Sequence, residues 1–310
     1  MRQTWEWAEW TRRLAGPEDE DLAQVLSQVK VHTRRDTQIR WARDPRTRMF
    51  LDLGLHLLYE HHFADDAHHS VTSEIKLFRN LGPEDLMRHA ARLIPVAEVA
   101  DEIDRQRWLD TWRHHAAFLE DLIAYLFRPA VAVERVREVQ VLLLAEAPGM
   151  TLGQLVREGT AAEIRSTLDD PTVGLQTFIH ASLPRHPLIR EGIETLETAL
   201  LDMWASLYAA VFPAYGIELR SGFSWGDMAQ LFDTAIEGTL LKARSRGDVP
   251  CLDNGDSLLA GSILAMLPGL CDVAAGDIEH RTVQGQIHVP PEYKKVLRLN
   301  AMPLSPADHR

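Results

Sequence analysis

Three features of the 310-residue chain predict an all-α fold. Apolar residues recur at spacings of three and four over long segments, which is the period of a helix with one buried face. Almost no segment alternates apolar and polar residues with the period of two that a half-buried strand requires. Prolines divide the chain where helices would begin or end. We therefore expect a helical bundle of about a dozen helices.

The clearest helical periods lie in three segments. Residues 108–127, residues 134–147 and residues 188–211 each carry apolar side chains three or four positions apart. In a helix this spacing places them on one stripe, which packs against a core. The prolines that we expect to bound helices are Pro45, Pro83, Pro95, Pro129, Pro148, Pro171, Pro187 and Pro213.

The predicted domain boundary is the turn at residues 147–149, where proline and glycine follow a long helical segment. Residues 1–147 then form a helical N-terminal region, and residues 148–281 form a C-terminal domain. The tail, residues 282–310, contains the sequence VPPEY. We expect it to be irregular or partly extended, because consecutive prolines disfavour a helix.

The composition is that of an ordinary globular protein, with 45% hydrophobic and 25% charged residues. The most apolar runs, such as VQVLLLAEA at residues 139–147, are far shorter than the roughly 20 residues of a membrane span. The N-terminus carries charges and tryptophans where a secretory peptide needs an unbroken apolar run. Two cysteines, Cys251 and Cys271, make no disulfide framework. We therefore expect a soluble, cytoplasmic protein with no membrane partner.

One segment of the second half, SWGDMAQLFDTAIEGTLLKARSR at residues 224–246, has the signals of a capped helix. Ser224 can cap its N-terminus, and Asp227 lies in the first turn, where exposed amides favour a carboxylate. Cations close its C-terminal end, which the helix dipole also favours. Gly238 adds no bulk and lets another helix approach closely. These residues alone fit both an internal core helix and a self-association face.

The order of segments over residues 140–275 resembles the C-terminal ligand-binding and dimerisation domain of TetR-type transcriptional regulators. The resemblance implies a homodimer, a small apolar ligand and an operator DNA that an N-terminal helix-turn-helix reads. The dimer interface that it implies contains Ala229, Phe232, Ile236, Gly238, Gly261 and Leu264. The ligand pocket that it implies draws on apolar residues of the long helices, namely Trp112, Phe118, Phe178, Met203 and Trp204.

Residues 30–48, KVHTRRDTQIRWARDPRTR, hold seven Lys or Arg and two Asp in a chain whose formal net charge is −12. Residues 20–44 fit a divergent helix-turn-helix, with a first helix at residues 21–30, a turn at 31–33 and a second helix at 34–43. Side chains suited to phosphates and base edges would then face DNA: Arg34, Arg35, Gln38, Arg40 and Arg43.

The basic stretch, residues 30–48, also fits a simpler interpretation. The glycine and aromatic signature that usually follows the helix-turn-helix of TetR-type regulators is absent, and roughly 100 extra residues precede the ligand domain. A solvated basic helix that pairs with acidic neighbours within residues 18–21 is the alternative.

A histidine-rich run, LHLLYEHHFADDAHH, offers the alternative of a metal-dependent enzyme. The residue types of zinc or iron sites occur at Glu60, His61, His62, Asp65, Asp66, His68 and His69, and again at Asp110, His114 and His115. Their spacing contains no HExxH, paired ExxH or CxxC motif, and no GxSxG, P-loop or GxGxxG motif precedes a plausible helix. We therefore predict no catalytic residue, no metal ligand and no cofactor.

The predicted function is a ligand-responsive, dimeric transcriptional regulator of TetR type that binds operator DNA. A regulator-like protein that lacks DNA binding and acts through a ligand or a protein partner is the second hypothesis. An all-α metal-dependent enzyme is the third. Salt-dependent binding to DNA and the metal content of the purified protein distinguish these three hypotheses.

Overall fold

The computed structural model describes residues 6–17, 20–63, 77–78, 80–94, 103–289 and 293. Within them the chain is all-α, as predicted. The helices are α1 (Trp7–Leu14), α2 (Arg35–Ala42), α3 (Pro45–Phe63), α4 (Pro83–Leu93), α5 (Arg105–Trp112), α6 (His115–Leu126), α7 (Pro129–Glu146), α8 (Leu152–Leu168), α9 (Pro171–Ser182), α10 (Pro187–Val211), α11 (Trp225–Arg246), α12 (Leu258–Leu270) and α13 (Ala275–Ile278). None of these described helices is long and apolar enough to span a membrane.

Short 3-10 turns complete the described secondary structure, at Leu22–Gln24, Ala147–Gly149 and Phe212–Tyr215. Two isolated β-bridges also occur, between Leu219 and Cys271 and between Cys251 and Ser257. No run of residues in the described ranges extends either bridge into a strand.

Proline begins several helices, as the sequence predicts. The helices α3, α4, α7, α9 and α10 start at Pro45, Pro83, Pro129, Pro171 and Pro187. Proline suits the first helical position because its φ is already helical and its missing N–H would have no partner within the helix. Pro148 and Pro213 lie in 3-10 turns, and Pro95 lies outside the described residues.

The predicted cap of α11 is present. The Ser224 hydroxyl accepts a hydrogen bond from the Asp227 N–H at 3.1 Å, and the Asp227 carboxylate accepts one from the Ser224 N–H at 2.8 Å. This reciprocal pair satisfies amides that the helix itself leaves unbonded. The helix ends at Arg246, and the next residue, Gly247, has a φ of 83°, the left-handed conformation that glycine adopts without strain.

The helical segment at residues 108–127 consists of two helices. Arg113, between α5 and α6, has a φ of 47°, which no continuous α-helix contains. The break folds the two helices together, so that the Trp112 and Phe118 rings meet edge to face with centroids 5.0 Å apart. Asp121 on α6 also accepts a hydrogen bond from Trp112 Nε1–H at 2.9 Å.

The chain divides into two units whose segments interleave in sequence. The first unit comprises Met1–Ala132 and Asp170–Glu197, and the second comprises Val133–Asp169 and Thr198–Arg310. This division differs from the single boundary predicted at residues 147–149, which lie inside the second unit. The reason is that side chains before and after that turn, such as Val139 and Leu152, pack into the same hydrophobic core.

The first unit is built around α3, which is buried along most of its length and packs against α1, α2, α4, α6 and α9. Its core also contains polar groups. Asp52 accepts a hydrogen bond from the Tyr125 hydroxyl at 2.7 Å, and the Arg128 guanidinium donates to Glu20 at 2.8 Å. These contacts offset the cost of burying charged side chains, because buried polar groups are stable only when they have partners.

The second unit is built on α8, α11 and α12, each of which packs against the other two. Arg157 on α8 donates hydrogen bonds to Asp256 at 2.7 and 3.1 Å and to Glu279 at 2.8 Å. These bonds connect α8 to the segment before α12 and to the segment after α13. Residues 282–289 are irregular, and Tyr293 is buried in the core of this unit.

Candidate functional site

The second unit contains an apolar cavity between its helices. Residues of α7, α8, α10, α11 and α12 line it, together with Phe212 of the 3-10 turn. The volume that water-sized spheres can enter is about 70 Å³, and the cavity opens partly to solvent. Because leucine, isoleucine, valine and aromatic side chains form most of the wall, the cavity suits the apolar part of a small molecule.

Four aromatic side chains line this cavity and contact one another: Trp204, Tyr208, Phe212 and Phe232. Tyr208 lies at the centre of the group. Its ring stacks on Trp204 with centroids 5.8 Å apart, and it meets Phe212 and Phe232 edge to face at 5.6 and 5.5 Å. These are the favoured geometries of aromatic pairs, so the four rings stabilise one another.

Glu163 is the acidic residue of the cavity wall. The residue is only 6% exposed. Its Oε1 accepts a hydrogen bond from the Thr167 hydroxyl at 3.1 Å, whereas its buried Oε2 has no hydrogen-bond partner among the described residues. Burial raises the pKa of Glu163, although the positive charge of Arg135 and the bond from Thr167 act in the opposite direction.

The predicted ligand-pocket residues are distributed over both units. Trp204 lines the cavity, and Met203 packs against the core of the same unit without lining it. Trp112 and Phe118 are buried in the core of the first unit, and Phe178 packs against that core. Trp112, Phe118 and Phe178 do not line this cavity, because their helices belong to the first unit, and their assignment to a ligand pocket stays a prediction.

The predicted dimer-interface residues also divide. Ala229 and Phe232 are each 2% exposed, so their side chains offer no surface to a second chain. Phe232 lines the cavity instead, which corrects its assignment to an interface, and the half-buried Ile236 lines the cavity as well. Gly238 is exposed, and a Cβ added there would meet no atom within 4 Å. Gly261 and Leu264 on α12 are half-buried.

In the first unit, the structure changes the predicted helix-turn-helix. The second helix is present as α2, but the predicted first helix at residues 21–30 is only a 3-10 turn, Leu22–Gln24, followed by further turns. The N–H groups of Ser27 and Gln28 donate to the buried Asp121 carboxylate at 2.8 and 2.9 Å. These tertiary bonds take the place of the helical pattern that the local sequence favours.

Three of the five predicted DNA-facing side chains bind within the protein. Arg35 and Gln38 each donate a hydrogen bond at 3.1 Å to a backbone carbonyl of the preceding turns. Arg43 forms two bonds with the Asp21 carboxylate, at 3.0 and 2.7 Å. Their donor groups are therefore partly used before any DNA approaches.

Acidic neighbours pair with other cations of the basic stretch. The ion pairs are Arg48 with Glu20 at 2.7 Å, Arg46 with Asp44 at 3.6 Å and Lys30 with Asp110 at 4.0 Å. Arg34 and Arg40 are exposed and form no ion pair within the described ranges. Four of the seven cations thus pair with carboxylates, and two of them, Arg43 and Arg48, pair with the acidic residues 18–21 that the alternative prediction names.

A second polar group in the first unit joins α3 to α4. His56 and His89 are buried, with His56 Nδ1 and His89 Nε2 3.0 Å apart. Arg92 donates to His89 Nδ1 at 2.9 Å, and the Glu60 carboxylate lies 3.6 to 3.8 Å from these three side chains. Because a guanidinium can only donate, His89 carries its proton on Nε2 and donates it to His56 Nδ1.

This group contains residues that could hold a metal. His56, Glu60 and His89 place potential ligand atoms within 4.8 Å of one another, which is the two-histidine, one-carboxylate set of many iron sites. In the observed arrangement, however, Nδ1 of His89 accepts a hydrogen bond from Arg92 and Nε2 carries the proton. A metal ion would have to displace either Arg92 or that proton. We therefore interpret His56 and His89 as a hydrogen-bonded pair.

The histidines that the sequence singled out do not converge in the described residues. His61 is exposed, and His62 hydrogen-bonds to the Leu77 carbonyl at 3.0 Å. His114 and His115 are exposed at the start of α6. The remaining members of the run, Asp65, Asp66, His68 and His69, lie outside the described residues.

Comparisons with known proteins give no match. No protein-family model matches the chain, and neither a curated protein nor a solved structure is significantly similar to it. The resemblance to TetR-type regulators stays a prediction.

Glu163 is the functional candidate that sequence reasoning missed. On α8 it follows Leu152, Val156 and Gly159 at helical spacing, and all of these residues are buried. An acidic residue on an otherwise apolar stripe was therefore the available signal, since a buried carboxyl needs a partner. Which side chains surround it depends on α10 and α11, which the spacing within α8 cannot indicate.

Proposed function

We propose that the second unit binds a small, mostly apolar molecule, and that the protein acts as a ligand-responsive regulator. The cavity between α8, α10, α11 and α12 is the observation that carries this proposal. Cavities in close-packed protein interiors are costly, because the atoms of their walls lose contacts. A cavity with an apolar wall and mutually packed aromatic rings therefore favours a bound molecule that restores those contacts.

A homodimer through α11 is part of the same proposal. Exposed residues recur along this helix at spacings of three and four: Leu231, Thr234, Gly238, Leu241 and Ser245. They form one continuous face, with small or apolar side chains that a second helix can approach closely. Isologous dimers are the commonest assemblies, and this face lies in the segment where the TetR-like pattern implies one.

A neutral fluorescent probe tests ligand binding. N-phenyl-1-naphthylamine brightens in apolar surroundings, so the native protein should saturably increase its emission. Ile236→Trp places a large ring in the cavity wall and should abolish most of that increase. Ala209→Trp, on an exposed position of α10, is the matched control and should leave it unchanged. Equal binding by all three proteins, or no binding by the unmodified protein, would refute the cavity as a ligand site.

Operator DNA binding is the second candidate function, and the exposure of Arg34 and Arg40 is the observation that favours it. If these residues contact phosphates, Arg34→Ala with Arg40→Ala should reduce the slope of log affinity against log salt by about two. Arg12→Ala, exposed on α1, is the control. If the unmodified protein binds no genomic DNA fragment at low salt, the regulator must act through a ligand or a protein partner instead.

A further inference from the structure

Glu163, one of the residues that line the cavity, has a buried carboxyl oxygen that a purely apolar ligand would leave without a partner. Glu163 Oε2 is buried and accepts no hydrogen bond from the described residues, whereas Oε1 has the Thr167 hydroxyl. The neighbouring Thr160 hydroxyl already donates to the Arg157 carbonyl at 3.0 Å. Because a buried acceptor without a donor is costly, the free oxygen of Glu163 favours a ligand that brings a donor.

The rest of the wall favours a donor that carries positive charge. The faces of Trp204, Tyr208, Phe212 and Phe232 carry partial negative charge, and cations bind to such faces. A carboxylate within an aromatic group is the setting in which proteins bind organic ammonium ions, because charge-assisted hydrogen bonding and cation–π attraction act together. A ligand carboxylate or phosphate would instead place a second acidic group beside the Glu163 carboxyl in an environment of low polarity.

We propose that the ligand of the second unit is an apolar molecule with a protonated amine, and that Glu163 selects it. The proposal rests on the ligand binding proposed above. The ammonium group donates a hydrogen bond to Glu163 Oε2, and the apolar part of the molecule fills the space between the leucine, isoleucine and aromatic side chains. Glu163 is then a specificity-determining residue, and the aromatic group supports the same charge.

Two probes with the same ring skeleton test this selection. 1-Naphthylmethylamine is protonated at neutral pH, and 1-naphthylmethanol is its neutral counterpart. By calorimetric titration, the unmodified protein should bind the amine at least about tenfold more tightly than the alcohol. Glu163→Gln keeps an acceptor for the Thr167 hydroxyl and should weaken amine binding by about tenfold. It should change alcohol binding by less than about threefold, and the melting temperature verifies that the variant is folded.

The outcomes separate this inference from the proposal on which it rests. If both probes bind equally well, or if Glu163→Gln leaves amine binding unchanged, the selection of an amine is wrong while the cavity remains a ligand site. If neither naphthyl probe binds but N-phenyl-1-naphthylamine does, the amine inference is equally wrong. If none of the three probes binds the unmodified protein, the proposed ligand binding itself fails.

Discussion

At the scale of single residues, the first unit is held together by buried polar groups whose partners are distant in sequence. Asp52 on α3 and Tyr125 on α6 are 73 residues apart and share a hydrogen bond of 2.7 Å. Burial raises the pKa of Asp52 to about 6, although Tyr125, Arg128 and Arg48 oppose the rise. Stability of this core therefore depends on pH and on a correctly placed acceptor for Tyr125.

Asp52→Asn should be tolerated better than Asp52→Ala. Asparagine keeps an acceptor for the Tyr125 hydroxyl, whereas alanine leaves that hydroxyl buried without a partner, at a cost of about 1–3 kcal/mol. The folded-state pKa of Asp52, about 6, lies above its ordinary value of 3.8. The unmodified protein thus loses stability relative to Asp52→Asn as pH rises between these values. Urea unfolding at pH 4.5 and 7.5 measures both effects, and a difference that is independent of pH would contradict the second.

His89 should make the opposite contribution to the pH dependence. Burial, followed by the charges of His56, Arg92 and His61, lowers the pKa of His89 from 6.5 to about 3, and Glu60 also faces it. The neutral ring is favoured in the folded state, so stability present above pH 6.5 is lost as pH falls towards 3. His89→Gln can accept from Arg92 and donate to His56 without titrating. Between pH 7 and 5, the unmodified protein should lose more stability than this variant.

Metal analysis provides an independent check on the same pair. We expect protein purified without a histidine tag to contain no stoichiometric zinc or iron, because Arg92 and a proton already use both nitrogens of His89. One equivalent of metal that disappears in His89→Gln would show that His56, Glu60 and His89 form a metal site. The metal-dependent enzyme would then become the leading hypothesis.

At the scale of secondary-structure elements, a glycine is required for stability where another backbone approaches it closely. Gly153 on α8 lies against the segment after α13, where an added Cβ would be 2.9 Å from the Glu279 carbonyl oxygen and 3.1 Å from its Cα. Backbone atoms at such distances cannot move aside cheaply. Gly238, in the middle of α11, faces open space within 4 Å.

The same substitution should therefore have opposite effects at these two glycines. Gly153→Ala should destabilise the second unit by about 1–3 kcal/mol, because the new methyl group clashes with backbone. Gly238→Ala should stabilise it by up to about 1 kcal/mol, because alanine is the better helix former and its methyl group meets no atom of the same chain. Chemical denaturation followed by circular dichroism measures both changes. Equal effects at the two sites would show that α8 does not pack closely against residue 279.

At the scale of the whole molecule, charge is distributed to satisfy internal pairs as much as to meet a partner. The chain has a formal net charge of −12, yet its basic stretch is matched by acidic residues such as Glu20 and Asp21. The Arg43–Asp21 pair is partly exposed and contributes little to stability by itself, whereas the Glu20 carboxylate that Arg48 contacts is buried. Both pairs reduce the field that the basic residues present to a polyanion.

The exposed face of α11 predicts that the whole molecule forms a dimer. Sedimentation velocity should show a dimer at micromolar concentration, and Gly238→Trp should shift it towards monomer, because the bulky ring separates the two helices. Glu158→Trp, at an exposed position of α8, is the control and should leave the dimer intact. A monomeric unmodified protein would exclude the proposed interface.

The sequence by itself determined the secondary structure well. Apolar spacing and proline positions predicted the all-α class and the starts of α3, α4, α7, α9 and α10, because these signals act within a few residues. The Ser224 and Asp227 cap of α11 is local in the same way. The resemblance to TetR-type regulators, the homodimer and operator binding stay predictions.

Only the tertiary structure decided where these helices pack and which side chains meet. Residues 21–30 have a helical pattern, but Asp121, nearly 100 residues later, binds two of their amides and holds them in turns. Phe232 and Ile236 lie on the side of α11 that faces the cavity, and Glu163 faces them from α8. The spacing of apolar residues indicates which residues are buried. Their neighbours, however, depend on contacts between helices that are far apart in the sequence.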